Sequence, residues 1–179
     1  MIQFTNGSQV IGAGMELWDA YNSELEKIEG MTLVRGQENE IPAGVYHLVC
    51  DILVKHEDGS YLLMKRDPVK SFGGMWEATA GGSALQGETP YDCAKREIYE
   101  ETGISSDDLK EIGRVVCDKV HCIYVEFFCI TGCNKNSIVL QEGETCDYKW
   151  TTRNELLNML DELVTRRIFD FTEDFKGKI

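Results

Sequence analysis

Three glutamates, Glu97, Glu100 and Glu101, crowd a segment that otherwise reads as an amphipathic helix over residues 89–102. Tyr91, Ala94, Ile98 and Thr102 recur three or four residues apart, the spacing that lines one face of a helix for packing. Pro90 suits a first-turn position, where its missing N–H is no loss, and Gly103 suits the C-terminal stop. A helix advances about 100° per residue, so with Glu97 at zero Glu100 falls at about −60° and Glu101 at about +40°. Three carboxylates therefore share one arc beside the packing stripe. Like charges at these spacings destabilise a helix by about 0.2–0.5 kcal/mol per pair, so folding alone gains nothing from the cluster. A hard divalent cation explains it, because Mg²⁺ takes carboxylate and water oxygens. Arg96 lies on the other flank of Glu97 and can hold that carboxylate in place.

The helix is part of a longer pattern. Gly82 is followed after five residues by Glu88, and after seven more by Arg96-Glu97-Ile98. One residue later come Glu100-Glu101, then one residue, then Gly103-Ile104. This spacing matches the Nudix box at every specified position, and the chain resembles the Nudix hydrolase superfamily. The resemblance implies an α+β fold, an α/β/α sandwich around a mixed β-sheet, and hydrolysis of a nucleoside diphosphate linked to a second group. It implies that Glu97, Glu100 and Glu101 give carboxylates to magnesium, with manganese as the alternative, and that the carbonyl of Gly81 is a further ligand. Glu88 and Arg96 would pin the preceding loop to the helix. A further acid is expected from a loop after the box. Glu144, six residues before Trp150, is the choice, and Glu142 the alternative.

The rest of the chain supplies a sheet. Residues 45–54 (VYHLVCDILV) read as a strand, residues 57–60 as a turn and residues 61–65 (YLLMK) as the returning strand of a hairpin. Residues 66–74 read as a loop, and residues 75–80 (MWEATA) as a short strand running into Gly81-Gly82. After the helix, residues 112–116, 123–130, 138–140 and 148–151 read as strands, and residues 154–164 as a second helix. A mixed sheet with helices on both faces is expected. Residues 1–14 read as a flexible leader or an extra edge strand, and residues 15–179 as a single domain.

Charge narrows the partners. A net charge of −13 would repel duplex nucleic acid, leaving a small-molecule diphosphate as the expected partner. No run is long enough to span a bilayer and no secretion signal is visible, so a cytoplasmic location is expected. Monomer and homodimer both stay open. The seven cysteines form no C-x-x-C pair and read mostly as buried thiols. Arg66 and Lys70 border the expected pocket mouth and are candidates for binding terminal phosphates. Trp76 is a candidate for stacking on a base or for filling the core. Either Glu144 or Glu97 could serve as the general base.

The flanks narrow the resemblance further. WDAYN, then Arg35-Gly36, residues 44–49 (GVYHLV), Lys65-Arg66, Lys70 and residues 74–77 (GMWE) look like the Nudix branch nearest isopentenyl-diphosphate isomerase. That enzyme needs a cysteine just before the box, where this chain has Glu77-Ala78-Thr79-Ala80-Gly81. A hydrolase is therefore the leading expectation. An isomerase and a catalytically silent binding module are the alternatives.

Overall fold

The computed structural model describes residues 15–176, so the expected leader at residues 1–14 lies outside the described residues. The helix forms as its sequence dictates. Thr89 caps helix α1 (Pro90–Thr102) by accepting from the Asp92 N–H, and Asp92 accepts from the Thr89 N–H in return. Gly103 ends it in the left-handed region at φ 73°, with its N–H donating to the Tyr99 carbonyl. Cys93, Ala94 and Ile98 are wholly buried, and Ile98 alone contributes about 1.5–3 kcal/mol of burial. Tyr91 departs from the expected stripe and stays exposed, its hydroxyl donating to the Asp107 carbonyl.

The main sheet is mixed and seven-stranded. It contains β3 (His47–His56), β4 (Tyr61–Arg66), β5 (Trp76–Glu77), β6 (Thr79–Ser83), β7 (Leu109–Cys117), β8 (Cys122–Thr131) and β9 (Thr145–Thr151). β1 (Leu17–Tyr21) and β2 (Lys27–Val34) form a separate antiparallel pair. β3 is central. It runs parallel to β8 along one edge, and on the other it pairs antiparallel with β6 and, at Lys55, with β4. Leu48, Cys50, Ile52 and Val54 point toward α1. Leu53 packs on the opposite face against Ile168 and Phe169 of helix α3 (Ile168–Phe171). The sheet is thus held between helices on both sides, the expected α+β sandwich. No helix among the described residues is long and apolar enough to cross a membrane.

Three expectations need correction. Residues 75–80 are two strands, because the chain changes partner at Ala78: β5 pairs with β4 and β6 with β3. Residues 138–140 form no strand. Val139 instead donates its N–H to the Thr102 carbonyl beyond the end of α1. Residues 154–164 are not one helix. α2 (Arg153–Asn158) gives way to a 3₁₀ turn at Leu160–Glu162, because Leu163 bridges Trp76 and the Val164 N–H donates to the Trp76 carbonyl.

The β1–β2 pair closes a third apolar cluster around Trp18, Ala20, Leu33, Ile41 and Val45. Trp18 stacks on His47, with ring centroids 4.1 Å apart and planes 13° from parallel. Burial lowers the His47 pKa from 6.5 to about 4. As pH falls below the unfolded value, the unfolded chain takes up a proton that the folded imidazole resists. The stability contributed by neutral His47 is therefore present near neutrality and lost between about pH 6.5 and about pH 4. The penalty of His47→Gln should shrink by roughly 2–3 kcal/mol between about pH 7.5 and about pH 4.5, read from urea unfolding of both proteins. An unchanged penalty would show that His47 protonates freely in the folded state.

Candidate active site

The cleft forms where β6 passes the C-terminal half of α1. It has a volume of ≈ 230 Å³ and is lined by Gly81, Gly82 and Ser83 of β6 and by Arg96, Glu97, Glu100 and Glu101 of α1. Lys70 comes from the loop after β4, and Gln141 and Glu144 from the turn before β9. Glu16 and Arg35, flanking the β1–β2 pair, complete the wall together with Val49 and Leu85.

One glycine lets α1 lie against β6, and the other lets β6 lie against β3. A Cβ on Gly82 would stand 2.5 Å from Glu97 Oε1, and one on Gly81 would stand 2.2 Å from the Cys50 carbonyl. The Gly81 N–H donates to Glu101 Oε2 at 3.2 Å. Arg96 organises the other side. Its Nε and Nη2 bind the two oxygens of Glu88 at 2.7 and 2.9 Å, a bidentate pair, and Nη2 also reaches the Ser83 carbonyl at 3.0 Å. Its Nη1 donates to Glu97 at 2.7 Å and to Glu100 at 3.0 Å. Glu88 also accepts from the Leu85 N–H at 2.8 Å. Loop, strand and helix are therefore tied through one guanidinium.

The electrostatics of this cleft are unfavourable. Burial raises the Glu101 carboxyl well above its ordinary value, and Glu97, Glu77 and Glu144 raise it further while the Gly81 N–H opposes them. Burial also raises Glu97, with Arg96 working against it. Carboxylates that repel one another in a partly dry cleft, beside oxygen-rich backbone, are the donor set a hard divalent cation takes. Among the described residues no three such side chains already stand around a common point. Arg96 sits between Glu97 and Glu100 as their counter-ion, so a metal would have to compete with it.

The structure brings most of the expected site residues together. Glu97, Glu100, Glu101, Arg96, Gly81, Glu144 and Lys70 share the one cleft, and Glu144 is ion-paired with Lys70 across it. Glu100 is the exposed member of the arc, while Glu97 is buried. Glu142 is exposed and does not line the cleft. Arg66 and Trp76 do not line it either. Arg66 is bound to Glu77 at 2.6 Å and to the Ser71 carbonyl at 2.9 Å. Trp76 packs against the second core cluster with Lys149 Nζ 4.4 Å and Lys65 Nζ 5.6 Å from its ring, so it is neither a free stacking platform nor fully buried. Glu16, Arg35 and Gln141 were not expected. Arg35 stood out in the sequence only as part of the flanking resemblance, with nothing local to aim it at the box.

Comparison with known proteins places the chain in a family. A NUDIX domain model matches residues 45–175. A protein of Listeria monocytogenes described as an uncharacterized Nudix hydrolase is 32% identical over 143 residues, covering 79% of this chain and 83% of the relative. YfcD of Escherichia coli, described in the same words, is 31% identical over 119 residues, covering 65% of this chain and 64% of the relative. The crystal structure of DR0079 from Deinococcus radiodurans has a TM-score of 0.64 at 18% identity, covering 82% of this chain and 89% of that one. The NUDIX domain of Shewanella oneidensis NrtR, complexed with ADP ribose, has a TM-score of 0.54 at 17% identity, covering 67% and 80%. At those identities the two structures show a shared fold. With the complete box, the family match and the sheet held between helices, this chain belongs to the Nudix superfamily and is a hydrolase of pyrophosphate bonds.

Proposed function

We propose that the protein is a magnesium-dependent hydrolase of a small nucleotide-like or related phosphorylated diphosphate. The observation that carries this reading is the gathering of Glu97, Glu100, Glu101 and Glu144 in one cleft where Glu101 is pushed far above its ordinary pKa by burial and by its neighbours. Those four carboxylates and the Gly81 carbonyl would hold the metal. Bound magnesium would neutralise phosphate oxygens and lower the pKa of the attacking water.

The chain's own groups do the rest. Arg96 holds Glu97 and Glu88 in fixed rotamers, so the carboxylate wall is set before substrate arrives. Lys70 occupies Glu144 in the free protein. A substrate phosphate that takes Lys70 releases Glu144 to accept a proton. Whichever of Glu144 and Glu97 stands outside the tightest ligand set is the general base in this reading. The NrtR domain's ligand makes ADP-ribose a natural first substrate to try.

The isomerase alternative lacks a group to work at carbon. Thr79 is buried, and Cys93 is wholly buried within the core on the helix side of the sheet, its Sγ facing the Gly82 carbonyl at 3.6 Å. Magnesium-containing reactions with ADP-ribose, sugar nucleotides and isopentenyl diphosphate should release monophosphate, phosphate or pyrophosphate from at least one. No dimethylallyl diphosphate should appear by proton NMR. Catalytic formation of that allylic product would overturn the hydrolase assignment.

A further inference from the structure

A second cavity, ≈ 480 Å³, adjoins the carboxylate cleft, and Arg35, Val49 and Ser83 belong to the walls of both. Its position follows from register. On β3 and β8, Val49 stands beside Tyr124, and on β3 and β6, Val49 stands beside Ser83. This row of the sheet runs from the cleft directly into the cavity. Arg35 comes from the end of the β1–β2 pair, outside the matched residues 45–175. Lys119 and His121 come from the β7–β8 turn at the cavity's far side.

The wall chemistry limits what fits. Two cations, Arg35 and Lys119, face one acid, Glu38, in a chain of net charge −13. Arg35 Nη1 is bound to Glu16 at 2.7 Å, and the other guanidinium nitrogens make no hydrogen bond to the described residues. Lys119 is exposed and forms no ion pair among them. His121 is held at φ 51°, a conformation unusual for a residue with a Cβ, and its Nδ1 is buried without a partner among the described residues. Three of the four rings in the wall are already engaged, His121 being the fourth. Trp18 and His47 stack on each other, and Arg167 lies 3.3 Å from the centre of the Tyr124 ring.

Building on the hydrolase reading, we infer that this cavity receives the group beyond the scissile diphosphate, and that this group is polar, non-aromatic and carries an anion of its own. Arg35 meets the diphosphate where the two spaces join. Lys119 meets the distal phosphate or carboxylate, and His121 and Ser83 bind hydroxyls between them. A phosphorylated sugar diphosphate has this chemistry, while an isoprenoid diphosphate has an apolar distal group and a simple nucleoside diphosphate has a base.

The test reads binding, so that it does not depend on cleavage. The probes are the non-cleavable methylene-bridged analogues of 5-phosphoribosyl 1-diphosphate and of isopentenyl diphosphate, titrated calorimetrically into the magnesium-containing protein. The phosphoribosyl analogue should bind at least about tenfold more tightly, the scale of one charge-assisted contact. Lys119→Met, at an exposed turn position, should abolish that preference. Equal affinities, or a preference that survives Lys119→Met, would overturn the inference and leave the hydrolase assignment standing. Failure of every diphosphate to be cleaved would sink that assignment without touching the binding result.

Discussion

Glu101→Gln is expected to lower kcat by at least about a hundredfold, the scale of losing a positioned catalytic group. The same substitution should raise the melting temperature measured without added metal. Both effects have one cause. The Glu101 carboxyl is kept well above its ordinary pKa by burial and by the charges of Glu97, Glu77 and Glu144. A neutral amide of the same shape removes that repulsion and still offers an oxygen to the Gly81 N–H. Added magnesium should then stabilise the wild type and do little for the variant, since binding to the folded state raises its apparent stability. Kinetics and thermal melts with and without magnesium check both halves. Near-wild-type turnover would remove Glu101 from the site, and a lowered melting temperature would show that its charge helps the fold.

Arg167→Met should destabilise the protein by about 3–5 kcal/mol at about pH 8, the usual effect of stranding buried charge. Register places Asp51 of β3 beside Glu126 of β8 on one face of the sheet, opposite Gly81 of β6. Asp51 is 6% exposed and Glu126 0%. Arg167 is ion-paired with Asp51 and brings Nε within 2.7 Å of Glu126 Oε1, though not in hydrogen-bond alignment. Burial raises both carboxyls, and Arg167 opposes the rise. Without the guanidinium their folded pKa values climb further above the unfolded ones. The loss should therefore be greatest at high pH and shrink as pH falls and the carboxyls protonate. Urea unfolding at about pH 8 and about pH 5, with the Arg167→Met/Asp51→Asn/Glu126→Gln triple variant as the neutralised control, measures this. A loss below about 1 kcal/mol at the higher pH would mean that the arginine is not their counter-charge.

How much of this was legible in the sequence depends on the range of the interactions involved. α1 was readable nearly to the residue, because Pro90, Gly103 and the three-and-four spacing are local signals. The carboxylate arc followed from helix geometry alone, and the start of β9 was close enough to place Glu144 in the cleft. The β1–β2 pair was not readable. Asp19 is buried in the middle of β1 because Lys27 reaches it from eight residues away, which breaks the apolar–polar alternation a strand is recognised by. Arg66 was placed at the pocket mouth by sequence proximity, and Trp76 was left between stacking on a base and filling the core. Their actual neighbours, Glu77 and Lys149, come from strands that pair with β4, and nothing near residue 66 or 76 announces which face each side chain takes. The same holds for Arg35, whose role depends on a hairpin folding back over β3.

The most direct measurement is the magnesium dependence of diphosphate cleavage, followed by phosphorus NMR on the best substrate of the panel. Expected is loss of the diphosphate resonances in proportion to enzyme, with a rate that saturates in magnesium, falls to background in excess chelator and returns when the metal is restored. The magnesium concentration giving half the maximal rate should agree with the affinity read by calorimetry in the same buffer. Undiminished cleavage in excess chelator, or magnesium binding that survives the combined Glu97→Gln and Glu101→Gln substitutions unchanged, would contradict a metal held by this cleft.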